Sequence, residues 1–287
     1  MDTIIYTTII GVYYGMNIWL VASGLTLIFG MLGVLNFAHG SIYMMGAFLG
    51  YTFATICGQS FWMGLLIGPV AVAVIGAAIE FFFLRRVYDL DITYQLLMTY
   101  AFILILDNLF KIIYGSLYVS VSVPIEGGIP VANRFVPAYY FFIIAIGCLV
   151  ALLLWILLKK TRLGRRLRAA AFNREMSSSV GINVPQLFTL IFGIGSWMAA
   201  LAGAMTAPIQ TISSGMGTAI IISSFIVAVI GGLGSLLGAF VGAIVIGLVN
   251  AFGILWVGEF SAALPYLAMI VILLAKPSGL FGIAEES

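Results

Sequence analysis

The sequence predicts an all-α, polytopic integral membrane protein with eight or nine transmembrane helices, some of them broken or re-entrant. Three observations predict it. Of 287 residues, 63% are hydrophobic and only 8% charged, with a mean hydropathy of +1.21, whereas a soluble globular domain carries roughly 25% charge. Apolar runs of about 18 residues or more recur along the whole chain, each long enough to cross a hydrocarbon core of ~30 Å. Finally, the 33 glycines suit helices that approach one another closely in lipid. Alternating apolar and polar strands, the signature of an outer-membrane barrel, are absent from the sequence.

Spans are expected near 6–29, 39–57, 62–84, 95–114, 138–158, 188–208, 219–237, 239–257 and 262–275. The first has no basic flank, Asp2 being the only charge before Glu80. It runs on into further apolar sequence, so it reads as a span and not as a cleavable signal. The pair 219–237 and 239–257 is dense in glycine, at 231, 232, 234, 238, 242 and 247. It is either two full spans or a broken, re-entrant element. Cys57 and Cys148 are too few and too far apart for a disulfide scaffold or a metal site, and both are expected to be small buried apolar residues.

Basic residues in short loops orient the bundle. Arg85 and Arg86 close the third span, the cluster from Lys159 to Arg174 follows the fifth, and Lys276 follows the last. Counting the glycine-rich pair as two spans puts all of these inside, with Arg134 outside, the N-terminus outward and the C-terminus inward. If the first span is instead two half-helices, the N-terminal side flips. The outer loop 115–137, with Pro124, Gly127, Gly128, Pro130 and Pro137, is expected to be an irregular connection. It is either a contact for an outer partner or a plain linker.

A faint internal echo aligns Gly40-Ser41 and Gly46-Ala47-Phe48-Leu49-Gly50 with Gly234-Ser235 and Gly238-Ala239-Phe240-Val241-Gly242. Repeats of this kind are common in transporters.

Few residues could carry chemistry. Asn36-Phe37-Ala38-His39-Gly40-Ser41 is a polar cluster between two apolar spans and holds the only histidine. Polar groups at membrane depth mark a pathway, or else Asn36 and His39 cap helix ends. A lone histidine makes neither a metal site nor a catalytic dyad. Asp107 and Lys111, four apart on one helical face, are expected to neutralise each other, and Glu80 lies near Arg85 and Arg86. With no unpaired mid-span carboxylate evident, a proton-coupled carrier is disfavoured. The absence of an HExxH pattern disfavours an intramembrane enzyme. No Gly-Lys pair occurs, so the chain has no P-loop and any ATP must be bound by another subunit. The run Val229–Gly238 lies in a membrane span, which makes a nucleotide loop improbable. A net charge of +2 makes no case for nucleic acid.

The polar stretch 159–187 stands out. Seven of the twelve basic residues lie between Lys159 and Arg174. Its first part anchors to the lipid surface. The second reads as a helix–turn–helix: Asn173 caps a short second helix, Gly181 ends it in a left-handed conformation, and Asn183 caps the next span with Pro185 in its first turn.

Three segments, NFAHG at 36–40, RAAAFNREMSSSVGIN at 168–183 and VIGGLGSLLGAFVGA at 229–243, resemble the permeases of branched-chain amino-acid ABC importers, in that family's order and spacing. The resemblance covers nearly the whole chain and is closest to the smaller of the two permeases in those systems. It implies a single permease domain over 1–287 with a cytoplasmic coupling loop at 159–187, in the inner or plasma membrane of a prokaryote. It also implies a second permease subunit, two P-loop ATPase subunits and an extracytoplasmic binding protein as partners. The chain itself would hold no cofactor or metal and catalyse nothing. Coupling to the ATPase would fall to Arg168, Phe172, Asn173, Glu175, Ser179, Gly181 and Asn183. Ser23, Thr26, Asn36, His39 and Ser41 are the candidates for the translocation path. Two departures stand out: Asn173-Arg174-Glu175 where the family often has acidic residues, and Ile222-Ser223-Ser224-Phe225 where it often has a lysine. Related permeases carry urea, short amides or other amino acids, and a stand-alone channel or secondary carrier is the alternative architecture.

Overall fold

The structure, a computed structural model, describes residues 2–282 except 59, 89, 116, 117 and 132. Its backbone is an all-α bundle: α1 (Asp2–Leu32), α2 (His39–Tyr51) continued by a π turn (Thr52–Ile56), α3 (Phe61–Phe82), α4 (Ile92–Tyr114), α5 (Ala138–Lys160), α6 (Arg162–Phe172), α7 (Arg174–Ser179), α8 (Val184–Thr206), α9 (Met216–Gly231), α10 (Leu236–Trp256) and α11 (Leu264–Ala275). Short polar side chains open many of them. Ser60, Asp91, Thr161, Asn173, Asn183 and Ser235 each accept a backbone N–H from the first turn that follows, which satisfies one of the donors a helix start leaves free.

Among the described residues, seven helical stretches are long and apolar enough to cross a membrane, including Asp2–Leu32, Phe61–Val87 and Gly258–Ala275. The first span is one continuous helix of 31 residues, not two halves. The glycine-rich pair resolves into α9 and α10, separated by a turn in which Gly232 and Gly234 have positive φ. Two spans are short. α2 begins beside the middle of α1, where His39 Nε2 lies 3.2 Å from the Val21 carbonyl, and α9 has only 16 residues. The segments before them, 33–38 and 207–215, are non-helical, yet Val34, Asn36, Ala38, Ala207 and Ile212 are buried. Irregular backbone at membrane depth is tolerated only when packed in protein in this way.

These two half-spans are related by an inverted arrangement. α1 packs along α10 as α8 packs along α3, and α1 crosses α8 while α2 crosses α9. α1 and α8 run in opposite directions, as do α2 and α9. Each crossing is a glycine pair. A Cβ on Gly24 would lie 2.8 Å from the Gly195 carbonyl oxygen, and one on Gly195 3.0 Å from that of Gly24. A Cβ on Gly40 would run into the Gly217 carbonyl, and one on Gly217 would lie 2.6 Å from the Gly40 oxygen. The sequence echo therefore aligned the wrong partners: Gly40 meets Gly217, while Gly234-Ser235 opens α10, the counterpart of α3.

The basic groups converge on one end. Arg174 reaches Leu32 at the end of α1, Arg85 reaches Pro185 at the start of α8, and the tail after Lys276 returns to α9 through Leu280 N–H to the Ile230 carbonyl. At the opposite end the loop 115–137 is more regular than its sequence suggests. It holds an antiparallel hairpin of β1 (Gly128–Val131) and β2 (Arg134–Pro137), with Asn133 at positive φ in its tight turn. Asn133 donates to Asp2 at 3.0 Å, tying the hairpin to the start of α1. Cys57 and Cys148 are exposed, not buried.

Candidate functional site

Two regions bring functional side chains together, one at the basic end and one inside the bundle. At the basic end, α6 buries Gly164, Leu167 and Ala170 at helical spacing, and Arg168 bonds the Leu158 carbonyl at the end of α5. Asn173 then breaks the helix and caps α7, its Oδ1 accepting from Met176 N–H at 2.9 Å. Gly181, with φ +84°, closes α7. Its N–H bonds Ser178 O at 3.0 Å and that of Ile182 bonds Ser177 O at 3.1 Å, the paired bonds of a Schellman ending. Asn183 caps α8, and Ser179 Oγ bonds the Glu175 carbonyl within α7. The result is a helix–turn–helix presenting an apolar stripe to solvent. Phe172, at the end of α6, is 94% exposed, and Met176 and Val180, four apart along α7, are 68% and 72% exposed. Glu175 and Gly181 are exposed beside them. Large apolar residues fully exposed outside the membrane zone mark a partner site. Met176 and Val180 were not singled out from the sequence, although their spacing from Phe172 was legible there.

Arg174 roots this element in the bundle. Its Nη2 donates to the Leu32 carbonyl at 2.6 Å, and its guanidinium lies 4.9 Å over the Phe188 ring. A cation on the last carbonyls of a helix is favoured by the helix dipole. Beside it, fully buried Glu80 accepts Tyr88 OH at 2.8 Å and Thr189 Oγ1 at 2.6 Å and pairs with Arg85 at 3.5 Å. Arg85 also donates to the Pro185 carbonyl at 3.0 Å, whereas Arg86 is exposed. A buried carboxylate needs this saturation of its lone pairs. Burial, then the Glu80 charge, holds the Tyr88 phenol well above its ordinary range, so it remains the donor.

Inside the bundle, Ser23, Thr26, Asn36, His39 and Ser41 are all buried, but they do not form one lining. Ser23 Oγ donates to the Leu20 carbonyl within α1. Neither Asn36 nor His39 caps α2: its N-cap is Ala38, with no side-chain bond. Asn36 with both its polar atoms, Thr26 Oγ1 and His39 Nδ1 lack a hydrogen-bond partner among the described residues. Burying such groups unpaired costs roughly 1–3 kcal/mol each. Ser41 of the five lines a cavity. This is a groove of about 470 Å3 between α2, α4 and α9, walled by Phe37, Ser41, Tyr100, Gly217, Thr218 and Phe225, among others. The rings of Phe37 and Phe225 meet at 4.8 Å. Ser41 Oγ donates to Asp107 Oδ1 at 3.1 Å. The expected Asp107–Lys111 ion pair is not formed: Arg85–Glu80 is the only one among the described residues.

The groove between two helix halves that meet at mid-depth, together with an exposed apolar stripe on a basic end, is an arrangement suited to a channel-forming subunit worked from outside the membrane. A family model described as "Branched-chain amino acid transport system / permease component" matches residues 7–274. The chain belongs to that family. It is a multi-pass membrane permease component. It is 28% identical to the high-affinity branched-chain amino acid transport system permease protein LivH of Escherichia coli K12, over 96% of this chain and 94% of the relative. It is 29% identical to the corresponding permease BraD of Pseudomonas aeruginosa, with the same coverage. A fructose import permease of Bifidobacterium longum, FruF, is 26% identical over 89% of this chain and 72% of the relative. The proteins similar to this chain thus include permeases named for unlike cargoes.

Proposed function

We propose that this chain is the membrane subunit of an ATP-driven ABC importer of the cell membrane that carries branched-chain and other hydrophobic amino acids. It pairs with a second permease and is fed by an extracytoplasmic binding protein. Two P-loop ATPase subunits supply the work, one of them seated on α6–α7 through Phe172, Met176 and Val180. The observation that carries this reading is that stripe: three large apolar side chains, held rigidly by Asn173 and Gly181, protrude from the end where the basic residues collect. ATPase closure moves the permease only if its contact with α7 differs between nucleotide states, since an effector shifts an equilibrium by no more than its differential affinity. Arg174 connects that contact to the end of α1, directly ahead of the non-helical segment that leads into α2 and the groove.

The amino-acid cargo is supported by the LivH and BraD relatives and by the groove's apolar walls. The test is purification of the chain from gently solubilised membranes, followed by uptake in proteoliposomes. Co-purification of a P-loop ATPase with ATP-dependent leucine uptake supports the reading. An ATPase-free channel would overturn the architecture. ATP-dependent uptake of urea, acetamide or fructose without leucine would overturn the cargo.

A further inference from the structure

We propose that Asp107 binds the ammonium group of the cargo at the outer end of the α2–α4–α9 groove, with Ser41 orienting the carboxylate. The inference rests on the amino-acid reading above and names the charge that would recognise such a cargo.

Four observations carry it. Thr93, Leu96, Tyr100 and Ile103 line the groove from α4, and Asp107 continues that stripe by one turn on the same helical face. Asp107 is seven residues from the end of α4 at Tyr114, about 10 Å along the helix, so it stands within the apolar zone and not at its edge. The carboxylate is half-buried and its one hydrogen bond among the described residues is from Ser41, at 3.1 Å. No cation pairs with it: Lys111, one turn further out, is exposed and makes no ion pair, and α2 and α9 carry no charged residue, His39 of α2 being wholly buried behind the groove. An ionised carboxylate in apolar surroundings is costly unless a cation reaches it. The aliphatic side chain of the cargo would lie along Phe37, Ile221 and Phe225 while its ammonium group meets Asp107.

The experiment uses the complete transporter, co-purified and reconstituted, with leucine uptake and basal ATP hydrolysis measured in parallel. Wild-type leucine uptake establishes the cargo class independently of the variants. Asp107→Asn should then lower leucine uptake about tenfold or more, as expected for loss of a charged hydrogen bond, with assembly and basal hydrolysis unchanged. Asp107→Glu should restore most of it. Lys111→Ala should leave uptake within about twofold, because the carboxylate serves cargo and not the lysine. Uptake by Asp107→Asn at the wild-type rate would overturn the proposal, as would a Lys111→Ala defect equal to that of Asp107→Asn. If Asp107→Asn fails to assemble, Ser41→Ala decides. A KM for leucine raised severalfold at unchanged maximal rate supports the site, and an unchanged KM overturns it.

Discussion

Gly40 and Gly181 are both glycines at helix ends, and the difference between them separates the two halves of this protein's physics. Gly40 sits where α2 and α9 cross, and a Cβ there would collide with the Gly217 carbonyl. Its constraint is space. Gly181 stands on the basic face with nothing within 4 Å of where its Cβ would be, and its constraint is a φ of +84°. The crossing is buried and reciprocal, so its residues answer to packing. The α6–α7 face is exposed around capped helix ends, so its outward residues are not fixed by packing. Large exposed side chains elsewhere, such as Leu66, Val74 and Ile112, lie on membrane-length helices where lipid covers them. Phe172, Met176 and Val180 lie beyond the spans, where lipid tails do not reach.

Four experiments would test that contrast. The largest effect is expected at the crossing. Gly40→Val drives a side chain into the Gly217 backbone and the Ile221 side chain of α9, and overpacking that cannot relax costs about 1–3 kcal/mol or more. Loss of monodisperse protein on size-exclusion chromatography is the expected result, and a stable, well-behaved variant would show that the helices are not locked there. Next, Phe172→Asp combined with Met176→Asp should leave the isolated subunit folded while ATPase capture falls by about tenfold or more, the scale of losing interface anchors. Undiminished capture would remove the stripe from the interface.

Third, Arg174→Ala should retain the ATPase but lower cargo moved per ATP severalfold, because the charged bond to the Leu32 carbonyl is lost. Arg174→Lys keeps the charge but not the planar stacking on Phe188, and should fall between the two. Equal uptake-to-hydrolysis ratios in all three proteins would assign Arg174 to surface charge alone. The smallest effect belongs to Gly181→Ala. A left-handed alanine costs on the order of 1 kcal/mol, confined to the α7 ending, so the thermal midpoint should move by only a few degrees and ATPase affinity by less than tenfold. A loss as large as that at Gly40 would mean that the α7 ending is part of the core.

The legibility of these features in the sequence follows their range along the chain. The caps at Asn173 and Asn183 and the left-handed Gly181 were readable because each depends on backbone groups two to four residues away. Most span boundaries were readable to within a few residues for the same reason, since hydropathy is a local sum, but the expected span 219–237 ran past the end of α9 at Gly231 into the turn before α10. The Asp107–Lys111 pairing failed although the spacing was right. Helical spacing brings two side chains within reach, but Ser41, 66 residues away, is what the carboxylate bonds. The alternative in which Asn36 and His39 cap helix ends failed similarly: Ala38 is the N-cap of α2, and the His39 ring lies at the Val21 carbonyl of α1.

Composition and local pattern sufficed to identify a helical membrane protein of the branched-chain amino acid permease family, with most of its basic residues on one face and a capped helix–turn–helix there. Those properties are sums over composition or over a few consecutive residues. Packing across the bundle, by contrast, made α2 and α9 half-spans meeting at Gly40 and Gly217, made α1–α3 and α8–α10 inverted counterparts, and brought Ser41 to Asp107. The physical reason is that close helix approach depends on which small residues face each other across the bundle. With 33 glycines available, many pairings were compatible with the sequence until packing selected one.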